Sequence, residues 1–262
     1  MKKSFNTDLK LTIERPTSWL HLSLNDIQSK YRRTRLGPWW IVIGMSITLG
    51  MMAVLWSVIF GLDWRHYLPY MLTGVVVWYW LSGYVTAACN VFSMEFGGMI
   101  RSMPSPPMIY AFRFVARGFF LHLHNMVIPI AALVITGTIP HWSLVIWLPL
   151  SSIIILINAF FITIYLGFLC ARVRDLAQLV QAVMGPLMLL TPAMWNPDML
   201  GNYRFLAELN PFTHFLAIVR SPLIGDQVSL LSIIVVGCIT IFNVIVGVVV
   251  YNKFRGKLVF WL

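Results

Sequence analysis

The sequence predicts an all-α membrane protein: six transmembrane helices, an N-terminal amphipathic interface helix, and a re-entrant outer half-helix pair between spans five and six. Three observations predict it. The chain is 59% hydrophobic and only 11% charged, with a mean hydropathy of +0.79, whereas a soluble domain is about a quarter charged. Its few charges leave long uncharged gaps, and roughly 20 apolar residues suffice to cross a bilayer core of about 30 Å. Its basic residues also collect at alternate gap ends, the asymmetry that orients membrane helices. Spans and short loops consume nearly all 262 residues, so the whole of 1–262 reads as a single transmembrane domain.

The amphipathic helix is placed over 17–34. Leu20, Leu24, Ile27 and Tyr31 recur at helical spacing, with His21, Asn25, Asp26, Gln28 and Lys30 on the other side. A knot of charge follows, in which Lys30, Arg32, Arg33 and Arg35 are four of the chain's 19 Lys and Arg residues. Gly37-Pro38 then breaks the chain ahead of Trp39-Trp40.

Span one fills 39–60, inside the gap that closes at Asp63, and span two fills 68–92, between Arg65 and Glu95. The segment 98–108 comes next, with Ser102-Met103-Pro104-Ser105-Pro106-Pro107 a stiff, charge-poor element flanked by Arg101 and Arg113. A short rigid connector of this kind is something a partner protein can push on. Span three runs over 110–136 with Arg113 and Arg117 in its first turns, and span four over 144–169. Span five is placed at 177–195, interrupted by Gly185-Pro186 and Pro192. The mixed stretch 196–226 holds an apolar piece, Phe215 to Val219, too short to cross, which suggests half-helices. Span six occupies 229–251.

With both termini inside, 16 basic residues fall on the inner side and only Arg65, Arg204 and Arg220 on the outer. That split predicts cytoplasmic termini. The net charge of +10 is therefore a membrane-surface signature, with no nucleic-acid partner expected.

Several chemistries are excluded or disfavoured. The single Gly-Lys pair, Gly256-Lys257, precedes Leu258, so no phosphate-cradling loop is present. Spans one, two, four, five and six lack Asp, Glu, Lys and Arg in their interiors, which disfavours an ion-coupled carrier. Cys89, Cys170 and Cys238 are far apart, and His122 and His124 face different sides of a helix, so no metal is expected. Aromatics are 14% of residues, with Trp56, Phe60, Tyr67 and Tyr70 toward the outer halves of spans. Such rings belong to an interfacial belt, or line a conduit that passes a carbohydrate without gripping it.

The segment Tyr31-Arg32-Arg33-Thr34-Arg35-Leu36-Gly37-Pro38-Trp39-Trp40 resembles the R-Y-R-R-S-x-L-G-x-x-W motif of polysaccharide-exporting ABC transporter permeases, specifically the O-antigen export (Wzm-like) group. Lys30 replaces the first Arg, and Thr34 replaces Ser. Arg174-Asp175-Leu176, Leu190-Thr191-Pro192 and Leu209-Asn210-Pro211-Phe212-Thr213-His214 resemble later motifs of that family, in register. The 98–108 segment departs from it, lacking the more basic character and Phe-Pro of the family.

The resemblance implies a permease in the bacterial inner membrane, working as a homodimer with two separate ATP-binding cassette subunits that bind ATP and Mg. No cofactor belongs to this chain, and no covalent chemistry is expected of it. The substrate implied is a polyprenyl-diphosphate-linked polysaccharide. Arg32, Arg33, Arg35 and Gly37 would then form the gateway for the lipid diphosphate, since guanidinium forks bind phosphate oxygens bidentately. Arg101, Met103, Pro104 and Pro107 would meet the ATPase, together with the 17–34 helix, and Trp56, Phe60, Tyr67 and Tyr70 would line the channel. The alternatives are a capsule or teichoic acid exporter and, from another class, an integral-membrane lipid-modifying enzyme.

Overall fold

The computed structural model describes residues 4–103 and 105–262, and among them every regular element is helical. The chain opens with two short helices, α1 (Phe5–Ile13) and α2 (Leu20–Lys30), joined through a 3₁₀ turn at Pro16–Ser18. Then come α3 (Trp39–Ile59), α4 (Trp64–Asn90), a π turn at Val91–Glu95, α5 (Gly97–Ser102), α6 (Pro107–Asn125) and α7 (Val127–Thr136). The rest comprises α8 (Leu144–Arg172), α9 (Asp175–Leu190), α10 (Phe205–Glu208), α11 (Pro211–Leu223), α12 (Leu230–Phe254) and α13 (Leu258–Trp261).

Five stretches are long and apolar enough to cross a membrane: Trp39–Ile59, Trp64–Glu95, Pro107–Thr136, Leu144–Arg172 and Leu230–Trp261. The stretch expected to be span five forms the 16-residue α9. Pro192 explains its early end, because the residue before a proline is driven out of the helical region, and Thr191 is extended at ψ 131°. The expected half-helices correspond to α10 and α11, which are 4 and 13 residues long.

The core is built around α4, whose most apolar window is 67% buried against 22% for α3 and 17% for the last span. Its neighbours are α3, α6, α7, α8, α9 and α11. The Asp63 side chain starts the helix by accepting a hydrogen bond from the Arg65 amide at 3.0 Å. Further along, a Cβ on Gly74 would lie 2.2 Å from the Ala193 carbonyl oxygen, so only glycine lets the chain after α9 lie directly on α4. Outside this core, α12 packs on α8 through a polar seam. There the Asn158 amide donates to Thr240 Oγ1 at 2.8 Å, and the Asn243 amide donates to Asn158 Oδ1 at 2.7 Å. Side-chain amides hold helices together where lipid offers no competing partner.

The first helix has no counterpart in the sequence reading. Its Asp8, fully buried, accepts from the Tyr251 hydroxyl at 2.6 Å and from Arg255 Nη2 at 3.0 Å. The Phe5 amide donates to Asn252 Oδ1 at 2.9 Å, and its ring packs between Phe161 and Tyr251. Thus α1 is tied to the far end of α12, the end that also carries Lys253 and Lys257.

Candidate functional site

The site is assembled where the arginine-rich loop meets α6, at the end of the bundle that holds α1 and α2. Helix α2 packs on α6, and one bidentate ion pair fixes the contact. Arg113 donates through Nε to Asp26 Oδ2 at 2.7 Å and through Nη2 to Asp26 Oδ1 at 2.5 Å. Arg117, one turn further along α6, donates to Glu95 and lies 3.8 Å from Asp26 Oδ2. The four side chains are only 10 to 29% exposed. Phe96 under the Arg113 guanidinium at 5.0 Å and Phe114 under that of Arg117 at 5.7 Å complete the enclosure. The result is a continuous chain of charge from α2, through α6, to the π turn that ends the central helix. Single π turns mark places where a helix is adapted to a task rather than to regularity.

The loop 31–38 leaves this clamp and climbs beside α6, since Trp39 beyond it packs edge-on against His124 with ring centroids 5.7 Å apart. Both ends of the loop are thus anchored on one helix. Within it, the Thr34 hydroxyl and amide both donate to the Tyr31 carbonyl, at 2.8 and 3.0 Å. Gly37 takes a φ of +55°, which glycine adopts freely. Arg33 takes +82°, the sole positive φ among described non-glycine residues. That conformation costs about 1–3 kcal/mol and persists only where the surroundings impose it.

Arg32, Arg33 and Arg35 are all exposed, and none has an acidic partner among the described residues. The contrast with Arg113 and Arg117 is chemical. The α6 arginines are saturated by carboxylates, whereas the loop arginines keep their donor forks open to an incoming anion.

The other expected residues divide. Arg101 is exposed in the last turn of α5, Met103 is exposed and extended just after it, and Pro107 is buried at the start of α6. Pro104 lies outside the described residues. Near the opposite end of the bundle, Trp56 is half-buried beside Phe60, with centroids 5.1 Å apart, and Phe60 is exposed. Tyr67 and Tyr70 behave differently, each tethering the chain after α9. The Tyr67 hydroxyl donates to the Met194 carbonyl at 3.0 Å, and that of Tyr70 to the Trp195 carbonyl at 3.0 Å. Arg220, placed in an outer loop by the charge count, is in fact buried on α11. Its guanidinium sits 4.0 Å from the Tyr70 ring centre and donates to the Pro192 carbonyl at 2.6 Å.

Asp26 and Glu95 are the residues of the α2–α6 cluster that the sequence does not single out. Two of only nine acidic residues in the chain, they were legible as scarce charges, but nothing local connects them to arginines 87 and 22 positions away. Among the described residues no three His, Cys, Asp or Glu side chains gather as a metal site would require.

With every regular element among the described residues helical, and five apolar stretches of crossing length that include the buried pillar α4, the molecule is a multi-pass membrane protein. The chain belongs to the ABC-2 type transporter family, whose model matches residues 17–224, from just ahead of α2 through α11. It is therefore the membrane permease component of an ABC exporter, acting with ATP-binding cassette subunits. No curated protein matches the chain.

Proposed function

We propose that the chain exports a polyprenyl-diphosphate-linked polysaccharide of the O-antigen type across the bacterial inner membrane, as a dimer served by two ATPase subunits that bind ATP and Mg. The observation that carries this reading is the difference between the two sets of arginines. Arg32, Arg33 and Arg35 stand exposed and without carboxylates, on a strained loop bounded by Gly37 and anchored at both ends on α6. A diphosphate offers the acceptor oxygens these forks lack, and the chain places them at the foot of the first crossing helix.

In this reading the basic end faces the cytoplasm, and α2 together with Arg101, Met103, Pro104 and Pro107 receives the ATPase stroke. The Asp26–Arg113–Arg117–Glu95 chain passes that movement from α2 to α6 and to the end of α4. A sixth crossing forms from α9 and the outer segment, with α11 re-entrant. The support is that Phe212, at the start of α11, meets Trp78 well down α4, whereas Arg220 meets Tyr70 near its beginning. Trp56 and Phe60, with Tyr67 and Tyr70 behind them, face the exported chain.

Deletion of the chain should leave lipid-linked polymer on the inner face of the membrane. Restoring it with Arg32, Arg33 and Arg35 all changed to Gln should reproduce that accumulation although the protein inserts normally. Wild-type surface polysaccharide in the triple variant refutes the gateway. Loss of a different polymer, capsule or teichoic acid, reassigns the substrate.

A further inference from the structure

Three buried polar atoms converge in one place. His122 Nδ1 and Asn125 Oδ1 make no hydrogen bond, and Trp80 Nε1 has only the Tyr84 hydroxyl nearby, short of good hydrogen-bond geometry, although Trp80 is only 7% exposed and His122 4%. All three residues line a cavity of about 270 Å³ between α3, α4 and α6, with Ile41, Gly83 and Arg117 on its other walls. Stranding such groups away from water costs free energy, and native proteins rarely tolerate it without a reason. Their positions are not loose either. The imidazole of His122 lies flat on the Trp80 indole, with centroids 3.7 Å apart and planes within 4°.

The chemistry of the walls narrows the occupant. Indole Nε1–H only donates and an amide oxygen only accepts, so the occupant must offer an acceptor and a donor together. A phosphate offers acceptors and leaves Asn125 Oδ1 unmatched. The guanidinium of Arg117 is already held by Glu95 and Asp26, so the cavity carries no open positive charge for an anion. Hydroxyl groups both donate and accept, and they need no counter-charge. The volume, about 270 Å³, lies just below the range of ligand pockets, roughly 300–1,000 Å³, which suits a single ring rather than a chain.

The location fits the same occupant. Trp80 lies roughly 24 Å along α4 from Trp64, at about 1.5 Å per residue, hence toward the basic end. Ile41 belongs to the first turn of α3, immediately beyond the arginine loop. Arg117 forms one wall while reaching the α2 clamp. We propose that this cavity binds one neutral, hydroxyl-rich glycosyl unit, the sugar nearest the diphosphate of a lipid-linked substrate. Arg117 then lets its occupancy be felt at Asp26. The proposal rests on the export reading for the identity of the substrate, but not for the existence of the site.

The test uses the permease–ATPase complex in lipid nanodiscs and two photoreactive amphiphiles with the same alkyl tail, one an alkyl glucoside and one an alkyl phosphate. Each carries a diazirine beside its headgroup. The glucoside should label peptides containing Trp80 or His122, and the phosphate should not. Gly83 borders the cavity, and a Cβ there meets nothing within 4 Å, so Gly83→Leu adds apolar bulk at its wall. Labelling should fall at least fivefold in Gly83→Leu and, independently, in Asn125→Leu. Full labelling in either variant overturns the site, as does labelling by the phosphate as strong as by the glucoside, or no glucoside labelling at all. Because labelling needs no transport, it survives if the exported cargo proves to be something else. Conversely, polymer export by a permease that never takes the label removes this inference and leaves the export reading standing.

Discussion

Two clusters of ion pairs sit at opposite ends of the molecule, and burial separates them. At the basic end Asp26, Arg113, Arg117 and Glu95 are 10 to 29% exposed and join residues far apart in sequence. At the other end Arg204 pairs with Asp198 at 2.7 Å and Glu208 at 3.2 Å, with side chains 43 to 68% exposed and all within ten residues. The first cluster fastens one helix to another, whereas the second decorates a loop. Fastening at that end falls to Tyr67, Tyr70 and Arg220, all bonded to backbone carbonyls of residues 192–195. Carbonyl tethers fix a segment in one place. Carboxylate–arginine pairs can exchange partners, as the position of Arg117 between Glu95 and Asp26 illustrates, so the two ends are fastened by different chemistry.

The largest effect should come from Asp26→Asn. It leaves Arg113 and Arg117 enclosed with one fewer carboxylate, and orphaning a buried charge costs about 3 kcal/mol or more. The side chains keep some solvent contact, which places the loss at the lower bound. Equilibrium unfolding in mixed micelles should register it, and a double cycle with Arg113→Met should recover much of it. If Asp26→Asn costs no more than the same change in the exposed cluster, burial is not what distinguishes the two ends.

A smaller loss, about 2 kcal/mol, should follow Arg220→Met. No charge is stranded, but the Pro192 carbonyl loses a charge-assisted donor and Tyr70 loses its cation. The observable that sharpens the contrast is proteolysis. Cleavage within 196–204 should accelerate, while the α2–α6 contact keeps its protection. Equal loosening at both ends would mean that the tether of residues 192–195 and the α2–α6 clamp are one cooperative unit.

How much of this was written in the sequence follows from range. Charge-free gaps gave span one at 39–60 and span four at 144–169, against helices at Trp39–Ile59 and Leu144–Arg172. A long apolar run decides its own conformation. The first helix escaped because its buried face, Phe5, Asp8 and Thr12, includes a carboxylate, and its docking depends on Asp8 meeting Tyr251 across 243 positions. The loop arginines were legible as a cluster, being adjacent, but their lack of carboxylates was not. That depends on Asp26 and Glu95 having been claimed by α6. Aromatic character singled out Tyr67 and Tyr70, yet a ring says nothing of where its hydroxyl goes. The stacking of Trp80 on His122 likewise needs two helices brought together.

The smallest effect should belong to Arg204→Gln, and its smallness is what makes it informative. Arg204 makes as many carboxylate contacts as Arg117 does. Yet its side chain is 58% exposed against 24%. Exposed pairs contribute about 0.2–1 kcal/mol because water and salt compete for both partners. The variant should therefore unfold within about 0.5 kcal/mol of the parent. Raising the salt concentration toward 1 M, where the Debye length falls to about 3 Å, should erase even that difference, while the cost of Asp26→Asn persists because its partners are shielded from the ions. A salt-insensitive Arg204 effect as large as that of Asp26 would show that the Asp198–Glu208 segment is as firmly clamped by charge as α2, and that the two ends are built alike after all.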